Sequence, residues 1–138
     1  MAVVVDASFA AAWFLPDERS EATDSILHRL AGETAFVPSL FWHEARNLLL
    51  NAERSRRLPA GGAVAAMQRL WRLPIEDRGA GGDAATFSLA RNYQLSAYDA
   101  VYLELALADR LPLATLDRKL AAAARAQGVS VLGPLETR

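Results

Sequence analysis

The chain has no cysteine, which excludes disulfides, thiolate nucleophiles and every cysteine-containing zinc site. That absence agrees with a reducing compartment. Histidine is almost as scarce: His28 and His43 are too few for a histidine-based zinc site. Long apolar runs are missing as well. The longest stretch without a formal charge, Leu58 to Gln68, contains Pro59, Gly61 and Gly62 and is far shorter than the roughly 20 residues that span a bilayer. No transmembrane helix is expected. Val3 to Val5 follow no positive region and run straight into an acid, unlike a secretory signal, so the expected location is cytoplasmic. There is no internal repeat, and only Ala121 to Ala124 approaches low complexity.

A surplus of one charge is also lacking. Fifteen Lys and Arg stand against 16 Asp and Glu, a net charge of −1, so composition alone gives no support for nucleic-acid binding. The distribution is less even. Between Arg46 and Arg72 lie Arg46, Arg54, Arg56, Arg57, Arg69 and Arg72 against the single acid Glu53. A basic helical hairpin beside an acidic pocket would attract a phosphate backbone. A solvated helix surface accounts for the same charges equally well.

What the chain does have is a βα rhythm over 138 residues, a length that fits one domain covering residues 1–138. Short strands are expected at 2–6, 35–37, 74–76, 112–115 and 129–132. Helices are expected at 7–15, 20–31, 39–57, 60–72, 82–93, 97–109 and 117–127. The pattern implies an α/β fold with a central, mostly parallel sheet of four or five short strands. Gly79 to Gly82 lacks the Lys-Ser or Lys-Thr ending of a phosphate-binding loop and reads as a connection, with Asp83 as the next helix cap.

Four acids interrupt or terminate apolar segments: Asp6, Glu44, Asp99 and Asp117. Carboxylates are seldom buried unless paired or coordinated. Asp6 and Asp117 each follow a strand, and in open parallel sheets ligands bind beyond the carboxyl ends of the strands. Glu44 lies three residues after Phe41 and four before Leu48, beside an apolar helical face. Asp99 shares a face with Tyr102 and Leu103, and Ser96 three residues before it has the spacing of a helix cap. Gathered carboxylates raise one another's pKa, and a divalent cation compensates them directly. Oxygen-only ligands favour Mg²⁺ or Mn²⁺. Read singly, the four are two helix caps, a turn acid and a surface ion-pair partner.

Several segments carry a family resemblance. Val3-Val4-Val5-Asp6-Ala7-Ser8, the stretch from Pro38 to Leu49 around His43-Glu44-Ala45, Leu95-Ser96-Ala97-Tyr98-Asp99-Ala100-Val101-Tyr102 and Pro112-Leu113-Ala114-Thr115-Leu116-Asp117 occur in the order seen in PIN-domain nucleases. The match spans essentially the whole chain and is similar to the ribonuclease toxins of VapBC toxin–antitoxin pairs. The resemblance implies a three-layer α/β/α fold and a Mg²⁺- or Mn²⁺-dependent endoribonuclease that hydrolyses RNA with metal-activated water. It also implies a small antitoxin partner and a homodimer. Asp6, Glu44, Asp99 and Asp117 match the family's acidic quartet as catalytic and metal-binding residues.

Ser8, Thr115 and Asn47 match polar positions with supporting roles. Read without the family, Ser8 is a helix N-cap, Thr115 a strand-end residue bonding nearby backbone and Asn47 a surface amide. Arg46, Arg54, Arg56 and Arg57 are candidate RNA phosphate contacts. Other classes stay open: a non-catalytic metal-dependent interaction module, or a PIN-domain nuclease in RNA processing without an antitoxin. Asp6-Ala7-Ser8 begins a metal-adhesion pattern whose second hydroxyl is replaced by Ala10. It also lacks the second Asp of a haloacid-dehalogenase-type phosphotransferase, where Ser8 stands.

Overall fold

In the computed structural model, which describes residues 1–135, the Ala-Val-Val-Val run forms β1 (Ala2–Val5) and is buried throughout. Burial on both faces marks an interior parallel strand, and the β-branched valines suit it. Around β1 assemble β2 (Thr34–Val37), β3 (Ile75–Asp77), β4 (Leu113–Ala114) and β5 (Val131–Leu132) in the order β3-β2-β1-β4-β5. Every pairing is parallel, so the sheet has five strands, all running one way.

Parallel neighbours need crossover connections, and here each contains a helix. These are α1 (Ala7–Ala12), α2 (Glu21–Arg29), α3 (Phe41–Arg54), α4 (Gly62–Leu70), α5 (Asp83–Tyr93), α6 (Ala97–Asp109) and α7 (Arg118–Ala126). Right-handed crossovers put α1 to α4 on one face of the sheet and α5 to α7 on the other. The packing of α1 on α3, α3 on α4, α5 on α6 and α6 on α7 agrees with that division. Phe9, Trp13, Phe41, Tyr102, Leu103 and Leu120 fill the core on either side of Val3 to Val5. A smaller cluster of Ala11, Leu15, Leu49, Ala52, Leu58 and Ala66 ties the segment after α1 to α3 and α4. Among the described residues no helix is long and apolar enough to cross a membrane.

The expected elements are all present, with α6 at its expected bounds and several others trimmed for local reasons. Helix α1 stops at Ala12 rather than residue 15. Trp13, Phe14 and Leu15 bond back three residues instead of four, a tightened end that precedes Pro16. Helix α3 stops at Arg54 rather than 57 because Arg56 takes φ 64°, and the N–H groups of Arg57 and Leu58 both turn back to the Ala52 carbonyl. Gly82, not Asp83, is the N-cap of α5.

Strand β1 lies between β2 and β4, so the chain leaves neighbouring strands in opposite directions at this point. That is the topological switch point, and the crevice it opens is at the carboxyl ends of β1 and β4. At the opposite side of Phe9 the chain after β5 turns tightly at Gly133. With φ +98°, Gly133 holds a conformation L-residues resist, and a Cβ there would stand 2.3 Å from Phe9 Cε2. The Gly133→Ala variant is therefore expected to lose about 1–3 kcal/mol in denaturant unfolding, whereas unchanged stability would contradict this packing.

Candidate functional site

The site is built from the register of two strands. Val5 pairs with Ala114, and the Asp6 N–H donates to the Ala114 carbonyl at 3.1 Å, so Asp6 and Thr115 leave the sheet side by side. Asp6 then N-caps α1. Its Oδ1 accepts the Phe9 N–H and the Ser8 hydroxyl, each at 2.8 Å, and its Oδ2 accepts the hydroxyl of fully buried Thr115. The N-cap is thus Asp6 and not Ser8, which lies inside the first turn. Thr115 Oγ1 also accepts the Asp117 N–H at 3.0 Å, joining the first acid to the last. Asp117 N-caps α7 through Oδ1, which accepts from Lys119 N–H at 2.8 Å and Leu120 N–H at 3.0 Å.

The other two acids come from helices on opposite faces of the sheet. Ser96 caps α6 by accepting the Asp99 N–H at 3.1 Å, which sets Asp99 in the first helical turn. Glu44 lies in the first turn of α3, one residue before buried Ala45, and is half-buried. Its Oε1 accepts the Tyr102 hydroxyl at 2.6 Å. His43 beside it faces solvent, as adjacent helical positions about 100° apart require.

All four acids line one cavity of about 370 Å³, together with Ser8, Glu18, Asn47 and Tyr102. Burial pushes Asp6 up to about 6 against its hydrogen bonds, with Asp117 adding repulsion. Burial likewise raises Glu44 and Asp99. Asp99 and Asp6 add to the first, and Asp117 to the second, partly offset by Lys119. The cavity is short of positive charge. Among the described residues no group of three His, Asp or Glu side chains is placed to hold one ion together. The donor chemistry nevertheless suits a hard dication, because the carboxylates are oxygen ligands whose uncompensated repulsion a cation would relieve.

Glu18 and Tyr102 escaped the sequence reading. Tyr102 carried a signal, one turn after Asp99, but a helix apolar nearly all round disguises which side chain faces a cavity. Glu18 sits on a connection with no periodicity. It is held by Arg57, whose guanidinium reaches both Asp17 oxygens at 3.0 and 3.1 Å and also contacts Glu18. Arg57, grouped from sequence with the phosphate-contact candidates, is therefore committed to an ion-pair network at the cavity mouth. Arg46, Arg54 and Arg56 are exposed. Beside them Trp42 and Trp71 stack at 3.6 Å, and Leu50, Val64, Met67 and Trp71 line an apolar groove between α3 and α4.

The family model described as PIN domain matches residues 3–126. The chain belongs to the PIN-domain family. A curated relative, Ribonuclease VapC3 of Pyrobaculum aerophilum, is 32% identical over 131 residues, covering 88% of this chain and 93% of its own length. A crystal structure from Pyrobaculum aerophilum superposes with a TM-score of 0.69 at 23% identity, over 89% of this chain and 79% of that one. A toxin–antitoxin complex from Klebsiella pneumoniae gives 0.64 at 18% identity, over 98% and 99%. The two structures show the shared PIN fold, and the sequence relative shows the likeness to VapC proteins.

The raised Asp6 has a measurable consequence. A carboxyl that titrates near 6 when folded and 3.8 when unfolded binds more protons in the folded state between those values. Its contribution to stability is full below about pH 4 and is lost as pH rises through 6, by about 3 kcal/mol. In chelator-treated protein, urea unfolding from pH 4 to 7 is expected to show wild type losing stability relative to Asp6→Asn. Parallel pH profiles would contradict the burial of this group.

Proposed function

We propose that this PIN domain is a Mg²⁺- or Mn²⁺-dependent endoribonuclease, the toxin of a toxin–antitoxin pair, acting in the cytoplasm as one nuclease domain and as a homodimer. The observation that carries the reading is the convergence of Asp6, Glu44, Asp99 and Asp117, from four separate elements, on one electronegative cavity at the sheet's switch point. The 32% identity to a protein named Ribonuclease VapC3 supports RNA as substrate, and the fold shared with a toxin–antitoxin complex supports a protein inhibitor. The apolar α3–α4 groove with its exposed Trp71 suits a protein partner.

In this reading Asp6, Glu44, Asp99 and Asp117 are the residues that would hold the cation. A bound dication supplies an activated water and neutralises charge developing on phosphate. Asp6 is kept in place by Ser8, Phe9 N–H and Thr115, so its direction is set before substrate arrives. Glu44 or Asp99, whose side chains line the cavity, would accept the proton of the attacking water. Asn47, which lines the cavity one turn after Glu44, would have a supporting role. Arg46, Arg54 and Arg56 bind flanking phosphates, which positions RNA without reading its sequence.

The test is cleavage of a mixed RNA pool with and without Mg²⁺ or Mn²⁺. Wild type is expected to cut only with metal. Asp6→Asn and Asp99→Asn should fold yet lose at least about 100-fold in rate, because metal stabilisation of the transition state amounts to several kcal/mol. Full activity in either folded variant would overturn the assignment. For RNA binding, the Arg54→Ala, Arg56→Ala double variant is expected to flatten the log K against log salt slope by about 1.4, roughly 0.7 for each phosphate left without its arginine. Arg57→Ala should leave that slope unchanged, since its partners are Asp17 and Glu18.

A further inference from the structure

We propose that Tyr102 is a positioning residue for Glu44: its phenol fixes one carboxylate oxygen so that the other is presented to the cavity in a single direction. The inference rests on the four-carboxylate reading and adds to it a residue with no acid function of its own.

Two observations carry it. First, the phenol donates to Glu44 Oε1 at 2.6 Å across 58 residues of sequence, the one hydrogen bond to that carboxylate among the described residues. A glutamate on a half-buried helical turn otherwise keeps several rotamers, and a fixed donor removes that freedom. Second, Tyr102 cannot move away. Its side chain is 1% exposed and packed in the main core, while its hydroxyl reaches the cavity wall.

A buried tyrosine always needs a partner for its hydroxyl, so burial alone does not distinguish a core residue from a positioning one. The identity and place of the partner do. Tyr102 lies one turn after Asp99 on α6, so a single rigid helix both contributes one acid to the cavity and aims another that comes from α3 on the far side of the sheet. The separation between Asp99 and Glu44 then depends on α6 as one body.

The experiment compares wild type, Tyr102→Phe, Glu44→Gln, the double variant and Tyr93→Phe as full chains. The Tyr93 hydroxyl bonds Gln127 away from the cavity and controls for losing a phenol oxygen. Each is measured for thermal unfolding, Mn²⁺ affinity by titration calorimetry, and kcat and KM on RNA. Tyr102→Phe is expected to fold, to bind Mn²⁺ about 10-fold more weakly, and to lose kcat with KM little changed. In the Glu44→Gln background it should cause no further loss. Glu44→Asp, which keeps the charge but withdraws it from the phenol, should reproduce the defect even if Tyr102→Phe folds poorly. Wild-type Mn²⁺ affinity and kcat in folded Tyr102→Phe would overturn the inference, as would losses that multiply in the double variant. If wild type itself neither binds Mn²⁺ nor cuts RNA, the four-carboxylate reading fails first and this inference falls with it.

Discussion

The parallel pairing of β1 with β4 sets Val5 opposite Ala114, and the two strands release the chain at the same height. Everything at the cavity depends on that register. A slip of one residue would turn Asp6 and Thr115 to opposite faces and separate the hydroxyl from the carboxylate it supports. Because β1 is buried on both faces, such a slip would also set each valine against the wrong layer of the core. The apolar strand thus enforces a polar geometry. This is how a segment with no chemistry of its own determines where a charge emerges.

A second constraint runs against the first. Asp6 is placed where burial disfavours its ionised form, and three hydrogen bonds only partly offset that penalty. Glu44 and Asp99 share the problem more mildly because they remain half open to solvent. Four acids therefore coexist through different compromises: Asp6 by dense hydrogen bonding, Asp117 by capping a helix, Asp99 by partial exposure near Lys119, and Glu44 by leaning on a phenol. A group of positively charged side chains would have quietened the cavity. Instead the guanidinium at its mouth, Arg57, is turned to Asp17 and Glu18 at the rim. The negative potential is left for something that enters from outside.

Much of the fold could be read directly from the residues. The valine run announces an interior strand, Ser96 and the apolar length after it announce α6, and alternating strands and helices announce a parallel sheet. What stayed hidden is tertiary in origin. Ser8 looked like a helix cap because local spacing allows it, yet Asp6 has the better geometry once β4 delivers Thr115 beside it. Just past the end of α1, the Trp13 indole N–H donates to the Thr23 carbonyl at 2.8 Å, a contact ten residues away that local pattern does not announce. Tyr102 and Glu44 are 58 residues apart, and no periodicity links them. Arg57 was grouped with its neighbours by charge, but its partners sit on a different connection. The placements of acids at strand ends are local facts, whereas the company they keep is decided by packing.

The order of these pieces along the polypeptide has a consequence for synthesis. Asp6 is made before β4, Thr115 and Asp117, with six helices between them. Until β4 inserts beside β1, the carboxyl end of the first strand has no neighbour on that side, and the cavity has no floor. The four acids are therefore not gathered in one cavity until β4 has been made and paired.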